Sequence, residues 1–88
     1  EFGLPTLSDR MEILKVGMAK IKSAGPLPLV EIAVRTHSWS AARLDSIWTE
    51  AALIAAADGR SAIADEDFVQ AYERVENRPQ RQPQDDKP

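Results

Sequence analysis

The sequence predicts an all-α fold, a bundle of four helices, and three observations support this prediction. Apolar residues recur every three or four positions along four segments, as they do on one face of a helix. Residues that start or stop helices, such as Ser, Asp, Gly and Pro, bound each segment. The connections between the segments are short and contain almost no strand pattern. With 88 residues, the chain has room for one small domain with a modest core.

The first helix is predicted over about residues 8–23. Its apolar stripe steps by three, four and three residues through Met11, Leu14, Met18 and Ile21, and Ile13 and Val16 widen it. Thr6 and Asp9 fit a capping box, with Ser8 as an alternative N-cap. The sequence "SAGPLP" then ends the helix, and Gly25 is expected to adopt a left-handed cap.

The second and third helices are predicted on either side of the sequence "THSW". Pro28 suits the first turn of a short helix over residues 29–36. Ser40 is a good N-cap for the third helix, which Gly59 closes at about Asp58. The stripe of the third helix consists of Leu44, Ile47, Trp48, Ala51, Ile54 and Ala55. Its many alanines allow a neighbouring helix to approach closely.

The fourth helix is predicted over residues 65–75, with Asp65 as its N-cap. Its acidic first turn complements the positive end of the helix dipole, and its buried stripe consists of Phe68, Ala71, Tyr72 and Val75. Residues 76–88 contain three prolines and no aliphatic or aromatic residue, so they are predicted to be a disordered, flexible polar tail. Residues 1–3 are interpreted as a cloning remnant, which leaves residues 4–75 as the domain.

The composition excludes several classes of site. There is no cysteine and only one histidine, His37, so a thiolate or histidine metal site is not expected. The net charge of −3 argues against nucleic acid as a partner, including recognition by a helix-turn-helix over residues 29–56. No apolar run approaches the roughly 20 residues that span a bilayer, so a cytoplasmic location is expected. No catalytic motif occurs, and no catalytic residue is assigned.

Four stretches, in order and at matching spacing, resemble a known module. They are "RMEIL" at 10–14 after Pro5, "IAVRTHSWSAARL" at 32–44, "EAALIAAADGR" at 50–60 and "IADEDFVQAYERV" at 63–75. Together they resemble the C-terminal helical lid of an AAA+ ATPase. The likeness is to the AAA branch that includes the proteasomal ATPases, the membrane protease FtsH and the Cdc48-type unfoldases.

This resemblance implies a function that the chain would perform inside a larger protein. The lid would close over ATP or ADP, which the parent's own ATPase core would hold with Mg. Neighbouring protomers of a homo-hexamer and a protein substrate to be unfolded or remodelled would be its further partners. The parent is expected to be an ATP hydrolase, whereas the isolated fragment is expected to bind no cofactor and to hydrolyse nothing. The alternative is a stand-alone helical module for protein–protein interaction, docking through the face of the fourth helix.

The start of the third helix departs from the family pattern. The family's two glycines on either side of the aromatic–Ser pair are Ser38 and Ala41 here, and its Asp is Arg43. In other AAA+ branches a Gly-Ala-Arg sequence places the sensor-2 arginine near the nucleotide phosphates, and Ala41-Ala42-Arg43 is similar to it. The resemblance therefore implies that Ala41 and Ala42 face adenine and that Arg43 contacts phosphate. A helix N-terminus with an arginine is a suitable anion site.

Other interpretations of these residues remain open from the sequence. Arg43 could point to solvent or pair with Asp45 or Glu50. Arg10, Trp39 and Trp48 are expected at the interface with the core or a neighbouring subunit, although the tryptophans would also suit internal packing and Arg10 a surface charge. The acids at 65–67 are interpreted as helix-capping charges rather than as a metal site.

Overall fold

The computed structural model describes residues 3–78, which form four α-helices. They are α1 (Leu7–Ala19), α2 (Leu29–Arg35), α3 (Ala41–Ala57) and α4 (Asp65–Asn77). Within the described residues the only extended pairing is an isolated bridge between Ser23 and Ile63. The all-α prediction is therefore confirmed.

Helix α3 is the centre of the bundle. It packs against α4 on one side and α1 on the other, and α2 packs against α1. The core combines the predicted stripes, and its largest fully buried side chains are Phe68, Leu14, Ile32, Leu44, Ile47 and Thr36. Trp48 of α3 stacks on Phe68 of α4 with ring centroids 4.7 Å apart. This stack fixes the separation of the two helices, because aromatic rings pack at a narrow range of distances.

Two of the predicted helix starts are confirmed by their capping bonds. The Thr6 hydroxyl accepts from the Asp9 N–H at 3.1 Å, and the Asp9 carboxylate accepts from the Thr6 N–H at 3.1 Å. The Ser40 hydroxyl accepts from the Arg43 N–H at 3.1 Å. Ser8, the alternative N-cap, lies inside α1, so that alternative is wrong.

The predicted N-cap of α4 is also wrong. Asp65 is the first residue of the helix and Ala64 is its N-cap. The capping acceptor is the carboxylate of Asp67, which accepts from the Ala64 N–H at 2.8 Å. Asp67 takes this role because Arg60 holds it in place through two further bonds, of 2.6 and 2.9 Å.

Helix α1 ends at Ala19, four residues before the predicted end. The chain after it pairs with Ile63 instead: Ile63 N–H donates to the Lys22 carbonyl at 2.9 Å, and Ala24 N–H donates to the Ile63 carbonyl at 2.8 Å. This pairing needs an extended backbone, which a longer helix would prevent. Gly25 does not adopt the expected left-handed conformation.

The ends of α3 and α4 follow the sequence more closely. Gly59 has φ of 76°, the left-handed conformation expected after α3. Helix α4 continues to Asn77, two residues past the predicted end of the domain. The rest of the predicted tail, and all but Gly3 of the predicted cloning remnant, lie outside the described residues.

Candidate functional site

The loop from α2 to α3 presents the start of α3, where the sequence predicts the nucleotide-facing residues. Thr36 is fully buried, and its hydroxyl donates to the Ala33 carbonyl at 3.1 Å. The Trp39 N–H then donates to the Thr36 carbonyl at 3.0 Å, which closes a tight turn. Ser38 within this turn has φ of 73°. The AAA+ lids that the sequence resembles have glycine at this position. The left-handed backbone explains that preference, since an L side chain is strained in this region.

The first turn of α3 is open. Ala41 and Ala42 are both exposed, so no side chain of the described chain covers them. The first N–H groups of a helix have no carbonyl partner within the helix and lie at the positive end of its dipole. Small side chains at these positions leave room for a flat ligand to approach the backbone.

The Arg43 guanidinium lies over the Trp39 ring, 4.1 Å from its centroid. Its Nη2 donates to the backbone carbonyls of Val75 and Glu76 at 3.2 and 3.3 Å. Arg43 thus carries positive charge to the C-terminal end of α4, where the helix dipole favours a cation. The first turn of α3 and the last turn of α4 are neighbours, so the two helices run antiparallel. The contact of Arg43 with phosphate stays a prediction.

Glu50 was one of the acids considered as a partner for Arg43. Its carboxylate forms ion pairs with two other arginines. Its carboxylate accepts from Arg74 at 3.0 Å and from Arg78 at 2.8 Å. These hydrogen bonds, first that from Arg74 and then that from Arg78, lower the pKa of Glu50, against the opposing effect of burial. Glu50 therefore ties the middle of α3 to the end of α4.

The three residues predicted at an interface are all largely buried within the chain. Trp39 and Trp48 are each 6% exposed, and Arg10 is 5% exposed. Trp39 stacks on Tyr72 at 5.6 Å between ring centroids. The Arg10 Nε donates to the Ala33 carbonyl at 2.9 Å and its Nη1 to the Pro5 carbonyl at 3.1 Å. The bond to Ala33 joins α1 to α2, and the bond to Pro5 holds the segment before α1. An additional contact of the three residues with another domain or subunit stays a prediction.

In the acidic first turn of α4, Asp67 supplies the carboxylate that caps the helix. Hydrogen bonds from Arg60 above all, and from the Ala64 N–H, lower the pKa of Asp67 to about 2, although burial acts in the opposite direction. Asp65 and Glu66 are exposed. Across residues 3–78, no three acidic, His or Cys side chains are close enough to hold a metal ion.

A groove between α1 and α3 was not predicted. It has a volume of about 520 Å³ and is bordered by Ile13, Val16, Gly17, Ile21, Trp48 and Thr49, among others. A second depression of about 510 Å³ continues along α3 past Ala52, Leu53 and Ala56. The sequence assigned Val16 to the buried stripe, yet its side chain is 53% exposed, and Leu53 is 59% exposed. Apolar residues occupy more of the first helix than one buried stripe needs. This excess in the sequence indicated a second apolar face that the chain does not cover.

None of the helices described over residues 3–78 combines the length and the apolar character needed to cross a bilayer.

Comparison with known proteins gives one family and several relatives. Residues 27–70, half of the chain, match the model of the AAA+ lid domain. The chain is 42% identical over 71 residues to an ATP-dependent zinc metalloprotease FtsH of Acaryochloris marina, a match that covers 81% of this chain and 11% of that protein. It is 36% identical over 75 residues to the probable 26S proteasome regulatory subunit 10B of Caenorhabditis elegans, covering 85% of this chain and 18% of the subunit. The match to 26S proteasome regulatory subunit 6A of Saccharomyces cerevisiae is 32% over 78 residues, covering 89% and 18%. The chain therefore spans less than a fifth of the length of these relatives.

Proposed function

The chain belongs to the AAA+ lid domain family, and from this premise we propose that it closes over a nucleotide held by the ATPase core of a longer polypeptide. The observation that carries the proposal is the open first turn of α3, where Ala41 and Ala42 are exposed beside Arg43. A lid must present such a surface to the core, because the nucleotide lies between the two. An interaction module with no nucleotide nearby would not need small residues and an arginine together at this helix start.

The two alanines and the arginine have different parts in nucleotide binding. Ala41 and Ala42 allow the adenine ring to lie close to the backbone of α3. Arg43 supplies a planar cation that can donate two parallel hydrogen bonds to phosphate oxygens. The positive end of the helix dipole adds to the attraction for an anion. The core would hold the Mg ion and the remaining phosphate contacts.

The closure would be transmitted mechanically to other parts of an assembly. Helices α3 and α4 are joined by the Trp48–Phe68 stack and by Glu50 with two arginines, so they move together. The apolar groove between α1 and α3 suits packing against the ATPase core of the same or a neighbouring protomer. Hydrolysis in the parent would then change the lid angle around a homo-hexameric ring in the cytoplasm. Unfolding or remodelling of a protein substrate is the activity that agrees with the relatives, which are named as an ATP-dependent protease and proteasome regulatory subunits.

Replacing Arg43 with alanine in the full-length ATPase tests this proposal. We expect the nucleotide affinity or the hydrolysis rate to fall about tenfold, the effect of losing a charge-assisted hydrogen bond. The binding of a fluorescent ATP analogue and steady-state hydrolysis measure the two quantities.

Arg74→Ala is the matched control for this variant. It removes another α3–α4 contact, between Arg74 and Glu50, at a distance from the first turn of α3. We expect it to cost similar stability and to leave nucleotide affinity unchanged. Equal kinetics in Arg43→Ala and the parent protein would mean that Arg43 has only its structural contacts.

A further inference from the structure

Besides the packing of Val75 in the core, two side chains of α3, Glu50 and Arg43, form hydrogen bonds with the C-terminal end of α4. Glu50 pairs with Arg74 and Arg78, as described above. Arg43 acts on the backbone instead, because its Nη2 donates to the carbonyls of Val75 and Glu76. The chain leaves the described fold directly after this turn, at residue 78. The C-terminal end of α4 is therefore held by α3, the helix whose first turn forms the proposed nucleotide site.

Arg43 donates hydrogen bonds to carbonyls at the C-terminal end of α4, where few backbone donors are available. The last four carbonyls of a helix have no N–H partner within the helix. The Val75 carbonyl accepts from the Arg78 N–H at 3.2 Å and from Arg43 at 3.2 Å. The Glu76 carbonyl accepts from Arg43 at 3.3 Å. Without Arg43, the Val75 and Glu76 carbonyls would lose their hydrogen bonds to α3.

A phosphate group would compete with these carbonyls for Arg43. The carbonyls are neutral acceptors at 3.2–3.3 Å, whereas a phosphate is fully charged and can accept two parallel bonds from a guanidinium. Side chains on a helix tilt towards its N-terminus, so Arg43 can turn towards an anion over the first turn of α3. Trp39 packs against Tyr72 and stays in place, so its ring can support the guanidinium in both positions.

We propose that Arg43 is a latch with two positions. It caps the end of α4 when no phosphate is bound, and it releases the end of α4 when its guanidinium binds the nucleotide phosphate instead. This inference rests on the proposed function, because the nucleotide is the competing ligand. Its consequence is that ATP binding loosens the last turn of α4, while the ion pairs of Glu50 with Arg74 and Arg78 stay in place. The mobility of the last turn of α4 would therefore depend on whether ATP is bound.

The resting position of the latch can be tested on this 88-residue chain by amide hydrogen exchange. In Arg43→Ala we expect the amides of residues 76–78 to exchange about fivefold faster, since the capped turn would open locally. Lys15→Ala removes an exposed cation of α1 and should leave these amides unchanged. Unchanged exchange at residues 76–78 in Arg43→Ala would overturn the latch.

The release is tested in the full-length ATPase with and without a non-hydrolysable ATP analogue. We expect the analogue to speed exchange at residues 76–78 in the parent protein. In Arg43→Ala, exchange should be fast from the start and insensitive to the analogue. If the analogue leaves exchange unchanged or slows it, while Arg43→Ala still loses affinity, the latch is wrong and the proposed nucleotide contact stands. If Arg43→Ala binds the analogue as well as the parent protein does, both are wrong.

Discussion

Replacing Gly17 with alanine is expected to destabilise the fold by about 2 kcal/mol net. A Cβ at Gly17 would overlap the Trp48 indole, with Cε2 only 2.9 Å away and two other ring atoms closer. The indole cannot move aside easily, because it is buried and stacked on Phe68. Overpacking of this kind costs about 3 kcal/mol, and the better helix propensity of alanine offsets about 1. Urea unfolding of the two proteins measures the difference.

Gly25→Ala is the matched control for the Gly17 prediction. No atom lies within 4 Å of a Cβ built there, and Gly25 has no left-handed backbone. We expect a change below about 0.5 kcal/mol. Combining Gly17→Ala with Trp48→Leu should restore part of the loss, because the smaller side chain vacates the space. Equal urea midpoints for Gly17→Ala and the parent chain would show that α1 does not pack on Trp48 as described.

Replacing Asp67 with asparagine is expected to cost about 2 kcal/mol at pH 7, because Arg60 loses its bidentate carboxylate partner and the Ala64 N–H loses a charged acceptor. The pKa of Asp67 is about 2 in the folded chain, below its ordinary value of 3.8. A lowered folded pKa stabilises the fold above the unfolded pKa, and this stabilisation is lost as the pH falls from about 4 to 2. The parent chain should therefore lose its advantage over Asp67→Asn in this window.

Unfolding free energies at pH 7, 4 and 2.5 measure this convergence. Asp65→Asn is the control, because Asp65 lies in the same turn of α4 but is exposed. It should stay within about 0.5 kcal/mol of the parent chain at every pH, since an exposed first-turn charge contributes little. A constant difference between Asp67→Asn and the parent chain from pH 7 to 2.5 would exclude the Arg60–Asp67 pair as the source of the acid sensitivity.

The sequence predicted those features that depend on neighbouring residues. The capping box of Thr6 and Asp9 and the cap at Ser40 span three residues each, so local spacing determines them. The helical stripes were predictable for the same reason, since a period of 3.6 places i and i+4 on one face. The position of Arg43 on the first turn of α3 followed directly from these signals.

Features that depend on distant residues were missed. Helix α1 stops early because the chain after it pairs with Ile63, about 40 residues away, and no local signal shows this. The partners of Arg43 on α4 are 32 and 33 residues away from it. Gly17 gave no signal in the sequence. Its role depends on which residue of α1 faces the indole, and only packing decides that.

Photolabelling of the full-length ATPase tests the central claim, that the start of α3 faces the nucleotide. The protein is irradiated with 8-azido-ATP and digested with trypsin, which cleaves after Arg35 and Arg43 and so releases residues 36–43 as one peptide. The account predicts label on this peptide, through Ala41 and Ala42 beside the adenine, and its loss in excess unlabelled ATP. ATP-protected label elsewhere in the protein with none on residues 36–43 would contradict it.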